Sequence, residues 1–228
     1  MKSSLTVLIA MLLSLPVLAQ ENKDLSRDSS YNNWYYASRE KLYQGIKGTK
    51  VDFVFFGNSI TERGPWHELI TGKNKIANRG IGGDNTFGMK ARIKDVVKTK
   101  PKKLFLMMGI NDIGRGLPTE WTLKNYEEMI QLVKQISPKT KIYIQSTLPL
   151  NEKVLKYDYL MGKADKINAL NAGLQNLAKA YSLTYIDLTQ VLGNGNTLLE
   201  EYTGDGIHLN TEGYIRWVSY LKANNYLK

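Results

Sequence analysis

The sequence predicts an α/β protein, a three-layer α/β/α sandwich built around a five-stranded parallel sheet. Two observations support this prediction. Five short apolar segments rich in β-branched and aromatic residues recur along the chain, and segments with helical spacing separate them. Strands that alternate with helices form parallel β-α-β units with right-handed crossovers, which place helices on both faces of the sheet.

The predicted strands are apolar segments of four to six residues. They cover Val51–Phe56, Lys75–Asn78, Leu104–Met108, Ile142–Gln145 and Leu183–Ile186. In the first of them, residues 53–56 are all apolar, which indicates a strand that is buried on both faces.

Apolar stripes at helical spacing predict the helices. An amphipathic segment from about Tyr31 to Ile46 precedes the first strand and is predicted to form an opening helix. One stripe follows each of the last three strands. The stripes are Tyr126, Met129, Ile130, Val133 and Ile136; Ile167, Leu170, Leu174, Leu177 and Tyr181; and Tyr214, Trp217, Val218 and Leu221.

The N-terminal segment differs in composition from the rest of the chain. Lys2 provides a positive charge, residues 5–17 form a largely apolar run, and Val17-Leu18-Ala19 offers the small residues that a signal peptidase reads. We interpret residues 1–19 as an export signal and residues 20–228 as one folded domain with a substantial core. The expected location is therefore the periplasm or the extracellular medium, with no stable membrane insertion.

The chain has no cysteine and a formal net charge of +10. The lack of cysteine excludes disulfides, thiol nucleophiles and cysteine metal sites. A basic surface favours acidic partners, but the lysines are scattered along the chain and no nucleic-acid-binding motif accompanies them. We therefore interpret the lysines mainly as solvated surface and expect no nucleic-acid partner.

Polar, glycine-rich segments directly follow the first three predicted strands. These segments are Gly57-Asn58-Ser59, Gly80–Asp84 and Gly109–Asp112. In parallel sheets the ligand binds beyond the carboxyl ends of the strands, where the strand order changes direction. The sequence therefore places Ser59, Gly83 and Asn111 at one edge of the sheet.

His208 is the candidate base of a serine hydrolase. It is one of only two histidines and precedes the last predicted helix. A serine hydroxyl needs a base with a pKa near 7 to remove its proton, and imidazole supplies one. Asp205, three residues earlier, is close enough to bind the other ring nitrogen. The candidate donors to a developing oxyanion are the amides of Ser59 and Gly83 and the side chain of Asn111.

Four sequence blocks resemble those of the SGNH or GDSL esterases, in the same order. The blocks are Gly57–Thr61, Asn78–Asp84, Gly109–Asp112 and Asp205–His208. The resemblance implies a flavodoxin-like sheet (the SGNH hydrolase fold), no cofactor, a triad of Ser59, His208 and Asp205, and an oxyanion hole of Ser59, Gly83 and Asn111. Asn58 and Ile60 replace the aspartate and leucine of the Gly-Asp-Ser-Leu motif, which puts in doubt any hydrogen bond that the aspartate would make.

Other kinds of site fit the sequence less well. Gly80-Ile81-Gly82 begins a dinucleotide fingerprint, but Asn85 stands at the position of its third glycine. The G-x-S-x-G elbow of ordinary α/β-hydrolases is absent, and two distant histidines without cysteine offer no metal cluster. We expect His67 to be structural and Trp66 to be a packing residue, with stacking on a sugar face as the alternative role of Trp66. Loop-stabilising roles are expected for Glu62, Asp84 and Asp112.

The expected function is that of an exported serine esterase that hydrolyses short-chain acyl esters. The leading substrate is an O-acetyl ester of a carbohydrate, such as acetylated sialic acid or a polysaccharide. The surface is basic, and no segment forms a long apolar lid for fatty chains. The resemblance adds that exported members of the family commonly act on carbohydrates. Two alternatives stay open: a lysophospholipase or thioesterase for lipid-type acyl esters, and a non-catalytic glycan-binding or envelope protein.

Overall fold

The computed structural model describes residues 28–46 and 49–228. The main sheet consists of β1 (Phe53–Gly57), β2 (Ile76–Gly80), β3 (Lys103–Met107), β4 (Lys141–Gln145) and β5 (Thr184–Ile186). The strand order is β2-β1-β3-β4-β5, and every neighbouring pair is parallel. This is the flavodoxin-like order, and it confirms the predicted α/β fold with five parallel strands.

Nine α-helices, two short 3-10 helices (Asp158–Leu160 and Glu200–Tyr202) and a small hairpin complete the regular structure in the described part of the chain. The helices are α1 (Trp34–Gly45), α2 (Ser59–Glu62), α3 (Trp66–Leu69), α4 (Thr86–Val97), α5 (Ile110–Gly114), α6 (Thr119–Ile136), α7 (Ala164–Ala180), α8 (Thr189–Leu192) and α9 (Thr211–Ala223). The hairpin pairs β6 (Gly193–Asn194) with β7 (Thr197–Leu198). Among these described helices, none is both long and apolar enough to cross a membrane. The predicted export signal at residues 1–19 lies outside the described residues.

Helices cover both faces of the sheet. On one face, α4 packs against α6, and α6 packs against α7. The Arg92 guanidinium of α4 lies 4.2 Å from the ring centroid of Phe56, which points to this face. On the other face, Trp217 of α9 contacts Trp66 with ring centroids 4.9 Å apart. The three layers agree with the predicted sandwich.

A row of stacked rings fills the face beneath α9. The strand register aligns Phe55, Phe105 and Tyr143 across β1, β3 and β4, and neighbouring ring centroids are 4.8 Å apart. Trp66 extends the row at 4.0 Å from Phe55 and has no exposed surface. Trp66 is therefore a core residue, as the packing interpretation expects, and the alternative of stacking on a sugar is wrong.

The structure differs from the prediction in element boundaries and contains elements that the sequence does not predict, of which α4 is the longest. β2 extends to Gly80 rather than ending at Asn78, because the backbone ladder with β1 continues through Arg79 and Gly80. Helix α4 has no counterpart among the predicted apolar stripes. Its buried face includes Arg92, whose charge interrupts the apolar pattern although the residue is only 1% exposed.

Candidate active site

The segments that follow β1, β2 and β3 meet at the carboxyl edge of the sheet, as predicted. Strand β1 lies between β2 and β3, which is where the strand order changes direction. Ser59 begins α2, Gly83 lies in the turn after β2, and Asn111 lies in α5. These three residues and His208 line one cleft of about 720 Å³.

The backbone around Ser59 is fixed by its two preceding residues. Oδ1 of Asn58 accepts a hydrogen bond from the amide of Ile60 at 3.0 Å and so caps α2. The replacement of the motif aspartate by Asn58 therefore keeps a capping bond. A Cβ at Gly57 would overlap Thr61 Oγ1 and lie 2.5 Å from the carbonyl oxygen of Met107. Only glycine allows α2 to begin this close to the strand ends.

Ser59, His208 and Asp205 form one hydrogen-bonded row. Oγ of Ser59 lies 2.9 Å from Nε2 of His208, and Nδ1 of His208 lies 2.7 Å from Oδ2 of Asp205. The other carboxylate oxygen accepts hydrogen bonds from the amides of Ile207 and His208, at 3.1 and 2.8 Å. Because a carboxylate only accepts, Nδ1 carries the proton and Nε2 is left to accept from the serine hydroxyl.

The loop that carries Asp205 and His208 is anchored from within and from a neighbouring segment. Oγ1 of Thr203 accepts a hydrogen bond from the amide of Gly206 at 3.0 Å and donates to the carbonyl of His208 at 2.8 Å. The amide of Asn151 donates to the carbonyl of Gly206 at 2.9 Å. These bonds hold the imidazole at the cleft, although the residues that flank it lie in a loop.

Burial lowers the pKa of His208 below its ordinary value of about 6.5, although the hydrogen bond and charge of Asp205 act in the opposite direction. The Arg63 guanidinium adds to the lowering. Burial opposes ionisation of Asp205, but hydrogen bonds from His208 and Ile207 hold its pKa below the usual value. At neutral pH the pair is therefore a neutral imidazole beside a carboxylate, the state that a general base needs.

We expect kcat/KM for an acetyl ester to rise with pH through an ionisation whose midpoint lies below about 6.5. Only the neutral imidazole can accept the serine proton, and the lowered pKa of His208 keeps it neutral to a more acidic pH. Activity falls as the pH drops through that pKa and the ring binds a proton. A pH–rate profile measures the midpoint. A midpoint above about 7 would show that burial does not outweigh the effect of Asp205 on the pKa of His208.

Hydrogen-bond donors lie beside Ser59 at the cleft. The amides of Ser59 and Gly83 have no acceptor among the described residues. Gly83 has a φ of +75°, a left-handed conformation that favours glycine. Nδ2 of Asn111 donates to the carbonyl of Asp84 at 2.8 Å, which leaves its second hydrogen for a ligand. The arrangement can supply three donors to one negatively charged oxygen.

Glu62 organises the turn that holds Gly83. Oε2 of Glu62 accepts a hydrogen bond from the amide of Gly82 at 2.8 Å, and Oε1 accepts from the hydroxyl of Tyr35 at 2.7 Å. Nε of Arg39 lies 3.0 Å from the same Oε1. Glu62 thus joins α2 to the turn after β2, in agreement with the loop-stabilising role expected from the sequence.

A buried ion pair lies beneath the site. Nε of Arg92 lies 2.9 Å from Oδ2 of Asp84, and the two side chains are 1% and 0% exposed. Arg92 also donates to the carbonyls of Arg79 and Gly57, at 2.7 and 2.9 Å. One guanidinium therefore ties the ends of β1 and β2 to the turn that contains Gly83. Sequence reasoning missed Arg92; its position one turn after Met89, on the apolar face of α4, was the available signal.

The remaining residues expected to be structural also make internal contacts. Asp112 is fully buried and accepts hydrogen bonds from the amide and the hydroxyl of Thr86. Nε2 of His67 lies 2.8 Å from the carbonyl oxygen of Ile76. Within residues 28–46 and 49–228, no three His, Cys, Asp or Glu side chains form a group that could hold a metal ion.

Residues 55–216 match the model of the GDSL-like lipase/acylhydrolase family. The chain belongs to this family. The matched range contains all five residues of the candidate site, which are Ser59, Gly83, Asn111, Asp205 and His208. Family membership agrees with the resemblance seen in the four sequence blocks.

Several known proteins are similar to this member of the family. A Streptococcus pneumoniae protein whose description refers to platelet activating factor is 32% identical, with a TM-score of 0.75 over 86% of this chain and 95% of that one. GDSL esterase/lipase WDL1 of Oryza sativa subsp. japonica is 24% identical over 187 residues, 71% of this chain and 72% of its own. N-acylneuraminate cytidylyltransferase of Escherichia coli is 26% identical over 222 residues, 93% of this chain but 49% of its own. The chain thus spans about half the length of this last relative.

Proposed function

We propose that this protein is an exported esterase that removes short acyl groups, foremost O-acetyl groups, from a carbohydrate. Ser59 is the nucleophile, His208 the general base, and Asp205 the residue that orients the base. The observation that carries the proposal is the hydrogen-bonded row in the cleft, with 2.9 Å from Ser59 Oγ to His208 Nε2 and 2.7 Å from His208 Nδ1 to Asp205. The composition of residues 1–19 supports export to the periplasm or the medium.

The row performs the reaction in two halves. Nε2 of His208 takes the hydroxyl proton while Oγ of Ser59 attacks the ester carbonyl, and Asp205 stabilises the imidazolium that forms. The amides of Ser59 and Gly83 and the side chain of Asn111 bind the oxyanion. The imidazolium then protonates the leaving alcohol, which leaves an acyl-serine. Water attacks the acyl-serine with the same imidazole as base, releasing the acid and restoring the hydroxyl.

Asn111→Ala is expected to lower kcat by about a hundred- to a thousandfold, the usual cost of one oxyanion donor. The variant also loses the hydrogen bond to the Asp84 carbonyl, which costs about 1 kcal/mol of folding free energy. Asn171→Ala is the matched control, because Asn171 binds the main chain of Thr147 at 2.8 and 2.9 Å and does not line the cleft. Asn171→Ala is expected to keep the parental kcat. If steady-state kinetics on folded protein shows that Asn111→Ala keeps it too, Asn111 is not an oxyanion donor.

The composition of the cleft supports a short acyl group and a polar alcohol. Apart from Ile207, every lining residue is polar, charged, aromatic or glycine. Such walls offer little apolar surface, and a buried methylene contributes about 0.8 kcal/mol only where apolar surface receives it. Tyr35, Tyr157 and Tyr159 supply rings and hydroxyls suited to a sugar. The name of one relative refers to an N-acylneuraminate, which makes an acetylated sialic acid the first substrate to test.

We expect kcat/KM for p-nitrophenyl esters to be highest for acetyl or propionyl and to fall by octanoyl, because the cleft offers no apolar channel for added methylenes. The experiment compares acyl chains of about two to ten carbons, because an apolar channel would favour each added methylene. Ser59→Ala measures the background hydrolysis. A maximum at octanoyl or longer would reject the carbohydrate acetylesterase proposal. It would favour the alternative, a lysophospholipase or thioesterase, on the same three residues.

A further inference from the structure

The charged side chains of the cleft differ in whether they have a partner of opposite charge within hydrogen-bond distance. Arg39, Arg63 and His208 are its basic residues, and Glu62 is its acidic residue. Nε of Arg39 lies 3.0 Å from Oε1 of Glu62, and another of its nitrogens donates to the hydroxyl of Tyr43 at 3.0 Å. Arg39 and Glu62 thus balance each other. The charge that remains available in the cleft is that of Arg63.

The Arg63 guanidinium has no carboxylate within hydrogen-bond distance among the described residues. Its nearest carboxylate oxygen is Oδ2 of Asp205, 3.9 Å from Nη1, which is too long for a hydrogen bond. That oxygen already lies 2.7 Å from Nδ1 of His208 and accepts from the hydroxyl of Tyr157 at 3.4 Å. The Arg63 side chain is 52% exposed. Its donors are therefore open to a ligand that enters the cleft.

Arg63 follows the nucleophile Ser59 by four residues and shares the cleft with two tyrosines. Its amide donates to the carbonyl of Ser59 at 3.0 Å, so the two residues are one helical turn apart and line the same cleft. Tyr157 and Tyr159 line it from the segment before α7, with ring centroids 6.1 Å apart, and Tyr159 is 55% exposed. A sugar whose ester reaches Ser59 therefore meets aromatic rings and one cation.

We propose that Arg63 is a specificity residue that binds a carboxylate on the alcohol part of the ester, so that the preferred substrate is the O-acyl ester of an acidic sugar. The planar guanidinium offers two parallel N–H groups, which match the two oxygens of a carboxylate. A neutral sugar leaves this cation without a partner. The inference rests on the proposed esterase function, since it names the alcohol that the same cleft accepts.

The test compares two esters that differ in one charge, O-acetylated N-acetylneuraminic acid and its C1 carboxamide. Acetate release gives kcat/KM for each. We expect the parent protein to favour the free acid by about tenfold or more, and Arg63→Gln to bring the ratio to within about twofold of one. Arg63→Lys keeps the charge without the fork and gives an intermediate ratio. Both substrates carry the same O-acetyl ester, so any effect of the substitution on His208 or Asp205 cancels in the ratio of their kcat/KM values.

Arg216→Gln is the matched control, since it removes the same charge from an exposed position of α9 outside the cleft. Its ratio is expected to equal that of the parent. The inference is overturned if the parent cleaves the two esters equally, if Arg63→Gln keeps the preference, or if Arg216→Gln loses it. It is also overturned if neither sugar is cleaved while p-nitrophenyl acetate is hydrolysed in a Ser59-dependent manner, a result that leaves the esterase function standing. Hydrolysis that survives Ser59→Ala would remove the proposed function itself.

Discussion

We expect Ser59→Ala and His208→Ala each to lower kcat for an acetyl ester by about ten-thousandfold or more, with the fold retained. Removal of Ser59 Oγ deletes the nucleophile, and removal of the imidazole deletes the base that lies 2.9 Å from it. The two residues act as a unit, so the double variant should be little worse than either single variant. Steady-state kinetics gives kcat, and circular dichroism shows whether the variants fold.

His67→Ala is the control for the loss of a histidine. Nε2 of His67 binds the carbonyl of Ile76, and the residue does not line the cleft. Its replacement costs about 1 kcal/mol of stability and leaves kcat per folded molecule at the parental value. Ser59→Ala or His208→Ala with more than about a hundredth of the parental kcat would contradict the assigned roles.

The second large effect concerns folding. Arg92→Leu is expected to lower the free energy of unfolding by about 3–5 kcal/mol, because it leaves the Asp84 carboxylate buried without its partner. Both side chains of the pair are at most 1% exposed. The same substitution removes the donors to the carbonyls of Arg79 and Gly57. Urea denaturation followed by circular dichroism measures the change.

Measurements at two pH values and a second substitution show how much of the stability lost in Arg92→Leu is due to the buried charge of Asp84. Burial raises the pKa of Asp84, and Arg92 opposes that rise. Without Arg92 the Asp84 carboxyl is protonated more readily, which removes its buried charge. Arg92→Leu should therefore lose less stability at about pH 5 than at about pH 8. Adding Asp84→Asn should recover part of the loss at neutral pH. An Arg92→Leu protein within about 1 kcal/mol of the parent would show that the buried pair does not stabilise the fold.

The sequence predicts most of the sheet and the placement of the candidate site, for a physical reason. Strands buried on both faces are apolar throughout, so residues 53–56 identify β1 directly, and the polar residues that must follow such strands mark the edge where a ligand binds. Ser59, Gly83 and Asn111 therefore lie where the sequence places them. The deviation from the Gly-Asp-Ser-Leu motif has little structural consequence, because Asn58 still caps α2.

The contacts that sequence reasoning missed depend on packing between distant segments. Trp66 is buried because it packs between Phe55 of β1 and Trp217 of α9, at 4.0 and 4.9 Å, and no local pattern encodes these contacts. Arg92 interrupts an apolar stripe and becomes favourable only through Asp84 and two strand-end carbonyls. The position of Arg63 relative to Asp205 follows from the anchoring of the loop around residue 205, which the chain order alone does not specify.

Covalent labelling by a fluorophosphonate probe, read out by intact mass and peptide mapping, tests directly whether Ser59 is the nucleophile. An activated serine attacks the phosphorus, whereas ordinary serines do not. We expect one label per molecule on Ser59, no label on Ser59→Ala, and strongly slowed labelling of His208→Ala. Labelling that persists in Ser59→Ala, or that maps to another serine in the parent protein, would contradict the assignment of Ser59 as the nucleophile.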